Sequence, residues 1–201
     1  MKRIITVTLL LTVFVTPAFS ADGDFYAGID LGRSNTDAGP SGAVMTNPTV
    51  TNFGGLAGYQ FDQYFGVEAF YTRAGEFSSQ NVAGTSSGTW QSNTFGAVVV
   101  AKKSISNSFS LYGKFGIAST KTIGASITPY GSFDIGATRN STTYGIGAQY
   151  NIKSSTDLRF GLDRFAEARQ AVRWGPGIGN VNNGVSDYNT SVYSLAAVFR
   201  F

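Results

Sequence analysis

From Asp24 to Phe201 the chain alternates apolar with small or polar residues, and no apolar run in that stretch could make a membrane helix. Period two is the mark of a strand with two unlike faces. It is plain in 65–72, where Phe65, Val67, Ala69 and Tyr71 oppose Gly66, Glu68, Phe70 and Thr72. The alternation predicts eight strands: 24–33, 51–61, 64–73, 89–102, 108–121, 137–152, 156–170 and 187–201. The connectors alternate too. Asp62-Gln63, 103–107 and 153–155 are short and polar, whereas 34–50, 74–88, 122–136 and 171–186 are long and rich in Gly, Ser, Asn and Thr. Tight turns at one end and long loops at the other describe an antiparallel up-and-down sheet.

The faces decide what such a sheet encloses. One face carries Phe109, Leu111, Phe115 and Ile117 in the fifth strand, Tyr144, Ile146 and Tyr150 in the sixth, and Tyr193, Leu195, Phe199 and Phe201 in the last. The other carries Gly, Ala, Ser and a few charges. A soluble barrel would turn the apolar face inward and need a charged skin. Only 13% of residues are charged, about half the usual share, while 14% are aromatic. Lipid suits the apolar face instead, and small residues suit the narrow interior of an eight-stranded barrel. A basic residue such as Lys114 facing lipid would cost up to about 2–4 kcal/mol at mid-bilayer. The aromatics form two bands as well: Phe25, Phe61, Phe65, Phe109, Tyr150 and Phe201 near the short turns, and Tyr71, Phe95, Tyr144 and Tyr193 near the long loops. Rings placed so are expected at the two membrane interfaces. The expected fold is all-β, an eight-stranded antiparallel up-and-down transmembrane barrel.

Export is written at the N-terminus. Lys2 and Arg3 precede the apolar run Ile4 to Val15, then Pro17 and the small-x-small site Ala18-Phe19-Ser20. This predicts a signal peptide over 1–20, recognised at Ala18 and Ser20, and a barrel domain over 21–201. Losing the leader takes two of the 15 cations and leaves 13 against 12 anions. A chain so nearly neutral is not expected to bind nucleic acid.

With no Cys and no His, disulfides, thiol nucleophiles, His-based triads and His-ligated zinc are excluded. The inward charges Asp30, Glu68, Lys114, Arg159 and Asp163, with Arg200 near the end, are the one constellation that could carry chemistry. Carboxylate pairs can act as acid and base. A lumen filled with side chains leaves little room for substrate, so these residues are read as an ion network, with Glu68 expected to pair with Lys114, Arg159 or both. No catalytic residue, cofactor or metal is expected. In the loops, Arg173 and Trp174 are candidates for ligand contact, with Trp90 a weaker one.

The order of motifs resembles the eight-stranded outer-membrane β-barrels that include the OmpA transmembrane domain and the opacity-type proteins. Asp24-Phe25-Tyr26-Ala27-Gly28 is similar to their opening strand; Gly58-Tyr59-Gln60-Phe61 with 65–71 is similar to their second hairpin. Leu111-Tyr112-Gly113-Lys114, Gly145-Ile146-Gly147-Ala148 and Leu158-Arg159 resemble strands five to seven. Tyr193, Phe199 and Phe201 resemble the C-terminal signal read by the barrel insertion machinery. Gly161 stands where a Glu is common, with Asp163 two residues on, and the cell-wall tethering of the larger OmpA proteins is not among the expectations carried over. The resemblance implies a monomeric, non-enzymatic protein in the outer membrane of a Gram-negative bacterium. Outer-membrane lipid surrounds it, and its four external loops can meet a host or surface ligand. A narrow porin-like channel for small solutes is the alternative.

Overall fold

The computed structural model describes residues 23–36, 43–81, 85–129, 131–166 and 189–201. They form ten strands: β1 (Asp24–Thr36), β2 (Ala43–Asn47), β3 (Thr49–Gln60), β4 (Phe65–Ala74), β5 (Phe77–Asn81), β6 (Ser87–Ser104), β7 (Phe109–Thr128), β8 (Gly131–Lys153), β9 (Thr156–Ala166) and β10 (Asn189–Arg200). Eight of them close a barrel in the order β1-β3-β4-β6-β7-β8-β9-β10, with β10 returning to β1. Every seam is antiparallel. Closure leaves the spanning wall without an unpaired edge, the condition for strands to cross a bilayer.

Each of the eight barrel strands overlaps its predicted segment, and the tight ends fall at 61–64, 105–108 and 154–155. The first turn is held by Asp62, whose Oδ1 accepts from the Tyr64 and Phe65 amides, both at 2.7 Å. An aspartate that bonds backbone amides two and three residues on replaces the turn's own bonds.

The long connectors differ from expectation. Segment 34–50 holds the end of β1, β2 and the start of β3; segment 74–88 holds β5 and the start of β6; most of 122–136 is the β7–β8 hairpin. β2 pairs with β5, and β5 with the upper part of β6, so the wall rises on one side above the membrane. Outside lipid a strand can be polar on both faces, as Thr120-Lys121-Thr122 is; a long polar stretch therefore reads as loop in the sequence yet pairs as sheet. The fourth connector, with Arg173 and Trp174, lies outside the described residues, as do 167–170, 187–188, Ala18 and Ser20.

The face assignment is observed throughout. Ile29, Phe95, Phe115, Ile117, Ile146 and Phe160 are exposed on the outer wall, and both aromatic bands face outward. Inside, three large rings lie over glycines directly across a seam. Tyr26 faces Gly58, Phe70 faces Gly96, and Tyr112 faces Gly147. A Cβ on any of these glycines would run into the ring. Absent side chains thus make room for large ones in a narrow interior. Near the outer mouth Phe77 and Trp90 stack 5.9 Å apart and pack with Val50, Ala74 and Met45. Trp90 is a strand residue only 2% exposed, so it caps the lumen rather than offering a loop contact.

Candidate functional site in the lumen

Glu68 sits on the inward face of β4, where alternation with Val67 and Ala69 allows it nowhere else, and is 2% exposed. Its Oε2 accepts from Arg159 Nη1 at 2.7 Å and from the Tyr26 hydroxyl at 3.1 Å. The Arg159 guanidinium lies 4.6 Å from the Tyr26 ring centre, a cation-π contact in a desolvated place. Lys114 Nζ, from β7, is 3.8 Å from Glu68 Oε1 and makes its short contact, 3.1 Å, with Asp163 Oδ2. Of the two cations near Glu68, Arg159 is its hydrogen-bonded partner. Lys114 is shared with Asp163, the residue two places beyond Gly161.

The chain of contacts runs on toward the short-turn end. Arg159 Nε donates to Gln149 Oε1 at 2.9 Å, and Gln149 Nε2 donates to Asp157 Oδ2 at 3.0 Å. Arg200 Nε donates to the same Asp157 oxygen at 2.8 Å. Asp163, Lys114, Glu68, Arg159, Gln149, Asp157 and Arg200 therefore form one connected path, with three anions matched by three cations. Charges removed from water this far persist only when paired and hydrogen-bonded. Asp157 and Gln149 were not among the residues singled out from sequence, although Asp157 shares the odd-numbered inward face of Arg159 and could have been found by parity.

Asp30 lines the same central space with Glu68, Lys114, Asp163 and Thr143, but makes no ion pair with a described residue. The free volume there is about 30 Å³, enough for one or two waters. Above it the inward face turns to hydroxyls: Thr94 and Thr120 bond at 3.0 Å across β6 and β7, and Ser92 meets Thr122 at 3.5 Å. No group of three or more acidic residues able to hold a metal occurs among the described residues. At the closing strand Tyr193, Phe199 and Phe201 all point outward, and the Phe201 amide donates to the Phe25 carbonyl at 2.9 Å.

Comparison with known proteins follows the same lines. The family model described as outer membrane protein beta-barrel domain matches residues 6–201. Among solved structures, OprG of Pseudomonas aeruginosa is 14% identical with a TM-score of 0.59, covering 90% of this chain and 96% of that one. Neisserial surface protein A is 14% identical at 0.55, covering 88% and 97%. Ail of Yersinia pestis, solved with the heparin analogue sucrose octasulfate, is 17% identical at 0.53, covering 89% and 97%. These likenesses are of fold. No curated protein matches the sequence.

Proposed function

The chain belongs to the outer-membrane protein β-barrel family, and on that premise we propose that it works as a sealed, non-enzymatic barrel whose role is carried by what it raises outside the membrane. The observation that supports this reading is the ion path from Asp163 to Arg200, which leaves room for only a water or two at its centre. A lumen so filled holds no substrate and passes little current. The strands above the membrane and the fourth connector, with Arg173 and Trp174, are then the surface that meets a partner outside the cell. That Ail was solved with a sulfated sugar makes anionic glycans a sensible first class to try. Tyr193, Phe199 and Phe201 are assigned to recognition by the insertion machinery, and the barrel acts as a monomer.

The competing reading, a narrow channel for small solutes, draws on Asp30, a carboxylate beside the central space without a paired cation among the described residues. Planar bilayers distinguish the two. The unaltered protein is expected to conduct poorly or intermittently, and Glu68→Ala to raise conductance by releasing Arg159 and Lys114 from their shared anion. Large steady channels in the unaltered protein, unchanged by Glu68→Ala, would reject the plug and favour the channel.

A further inference from the structure

We propose that Asp30 and Asn52 hold a monovalent alkali cation inside the barrel, on the side where β1 meets β3. Three carboxylates and two cations line the central space: Asp30, Glu68 and Asp163 against Lys114 and Arg159. Both cations are committed. Arg159 stands 2.7 Å from Glu68, and Lys114 stands 3.1 Å from Asp163 and 3.8 Å from Glu68. Asp157 and Arg200, 2.7 Å apart, balance each other nearer the short turns. One negative charge is left over, and it sits on Asp30. A carboxylate withdrawn from water needs a positive partner. One monovalent ion restores neutrality, whereas a divalent ion would overshoot it.

The neighbouring residues supply neutral oxygens. Asp30 pairs with Gly54 and Asn52 with Gly32, so the two side chains are rooted one row apart on one seam, about 7 Å along the strands. Each lies across the glycine opposite it. A Cβ on Gly54 would stand 2.7 Å from Asp30 Oδ2; one on Gly32 would stand 2.9 Å from Asn52 Oδ1 and 3.0 Å from the Ser194 Cα. The amide of Asn52 is thus turned toward Ser194, which with Thr72 lines the central space beside Asp30. Asn52 is wholly buried, yet neither its Oδ1 nor its Nδ2 has a hydrogen-bond partner among the described residues. A buried amide is costly when nothing engages it. Hard cations take oxygen ligands, and one carboxylate among amide and hydroxyl oxygens suits a singly charged ion. Such an ion needs no cluster of three acids, and the free volume of about 30 Å³ admits it with at most one water.

A track of similar chemistry leads outward from Asn52. Ser34, Thr36 and Thr190 follow on the inward faces of β1 and β10, with Thr36 opposite Thr190. All three are buried, and no described residue engages their hydroxyl oxygens. They offer an ion entering from the outer mouth a succession of oxygens in place of water. The inference holds whether or not the barrel passes current, and it supplies Asp30 with a partner.

The test is urea unfolding of the protein in phosphatidylcholine vesicles, with sodium chloride exchanged for choline chloride at constant ionic strength. One ion released per barrel makes the unfolding constant fall about tenfold for each tenfold rise in sodium above saturation. D30N should abolish that dependence, with heat-modifiable gel mobility as the check of folding. N52L keeps every charge and removes the amide, so the dependence should begin at about tenfold higher sodium. D134N, which alters an exposed acid of the outer sheet, should change nothing. In crystals grown with thallium(I), anomalous density should lie between Asp30 and Asn52. An unfolding constant indifferent to sodium, a dependence kept in full by D30N or lost equally in D134N, or thallium bound only elsewhere would each overturn the proposal. So would an infrared band of a protonated carboxylic acid that D30N removes, since the partner of Asp30 would then be a proton.

Discussion

Around Glu68 the lumen is closed by charge; around Phe77, near the outer mouth, it is closed by stacked rings. The first closure binds four strands at once, since Glu68 on β4 reaches Tyr26 on β1, Lys114 on β7 and Arg159 on β9. The second is local: Phe77 is wholly buried, yet β5 pairs only with β2 and β6, above the closed part of the barrel. Equal burial therefore carries unequal reach. An ion path ties the wall together across its diameter, while an apolar cap ties one protruding sheet to itself.

Breaking the ionic closure should have the largest effect. Glu68→Ala leaves Arg159 and Lys114 with one buried anion fewer, and about 3–5 kcal/mol of stability toward urea is the expected loss. The double variant Glu68→Gln with Arg159→Met removes both charges and should recover most of it. No recovery would mean that the path stabilises by geometry rather than by charge balance. The cap should respond differently. Phe77→Ala is expected to raise protease cleavage in 75–86 by up to roughly a hundredfold, through a local opening worth about 3 kcal/mol. Barrel unfolding should shift by less than about 1 kcal/mol. A loss in global stability as large as that of Glu68→Ala would erase the contrast between the two closures. The smallest effect is expected at Arg200→Lys, which keeps the charge beside Asp157 but loses the guanidinium fork; about 1 kcal/mol in the same urea titration would place the short-turn end of the path on the scale.

The sequence carries some of these features openly and hides others. Glu68 and Lys114 are visible because each interrupts a face otherwise made of Gly, Ala and rings, and lipid on the far side forces them inward. The spanning parts of the strands are visible for the same reason. Outside the bilayer that constraint ends. β2, with Ala43-Val44-Met45-Thr46-Asn47, and β5, with Phe77-Ser78-Ser79-Gln80-Asn81, are strands only because they find each other and β5 finds β6; five residues hold too few periods to announce themselves. Trp90 reads as a ring at a loop junction until Phe77, thirteen positions earlier, is brought against it by that pairing. Which cation takes Glu68 depends on the relative depth of β4, β7 and β9, a three-strand register that alternation alone leaves open.

The rings seated on glycines have a consequence for assembly. At 61–64, 105–108 and 154–155 a tight turn joins neighbouring strands and fixes their offset from nearby. The seams β1/β3 and β4/β6 lack that help, because their strands are joined through long outer segments, and at β7/β8 the tight turn between Thr128 and Gly131 stands far up the strands from the ring. Those three seams are the ones that carry Tyr26 on Gly58, Phe70 on Gly96 and Tyr112 on Gly147. A slip of two residues would keep every side chain on its proper face and so escape correction by lipid. It would, however, set Tyr26 against Leu56 or Gln60, and Phe70 against Thr94 or Val98, where the ring has no vacant place to lie. The glycine is thus an index notch and the ring its pawl: a hairpin sliding into place in the membrane can stop at only one tooth.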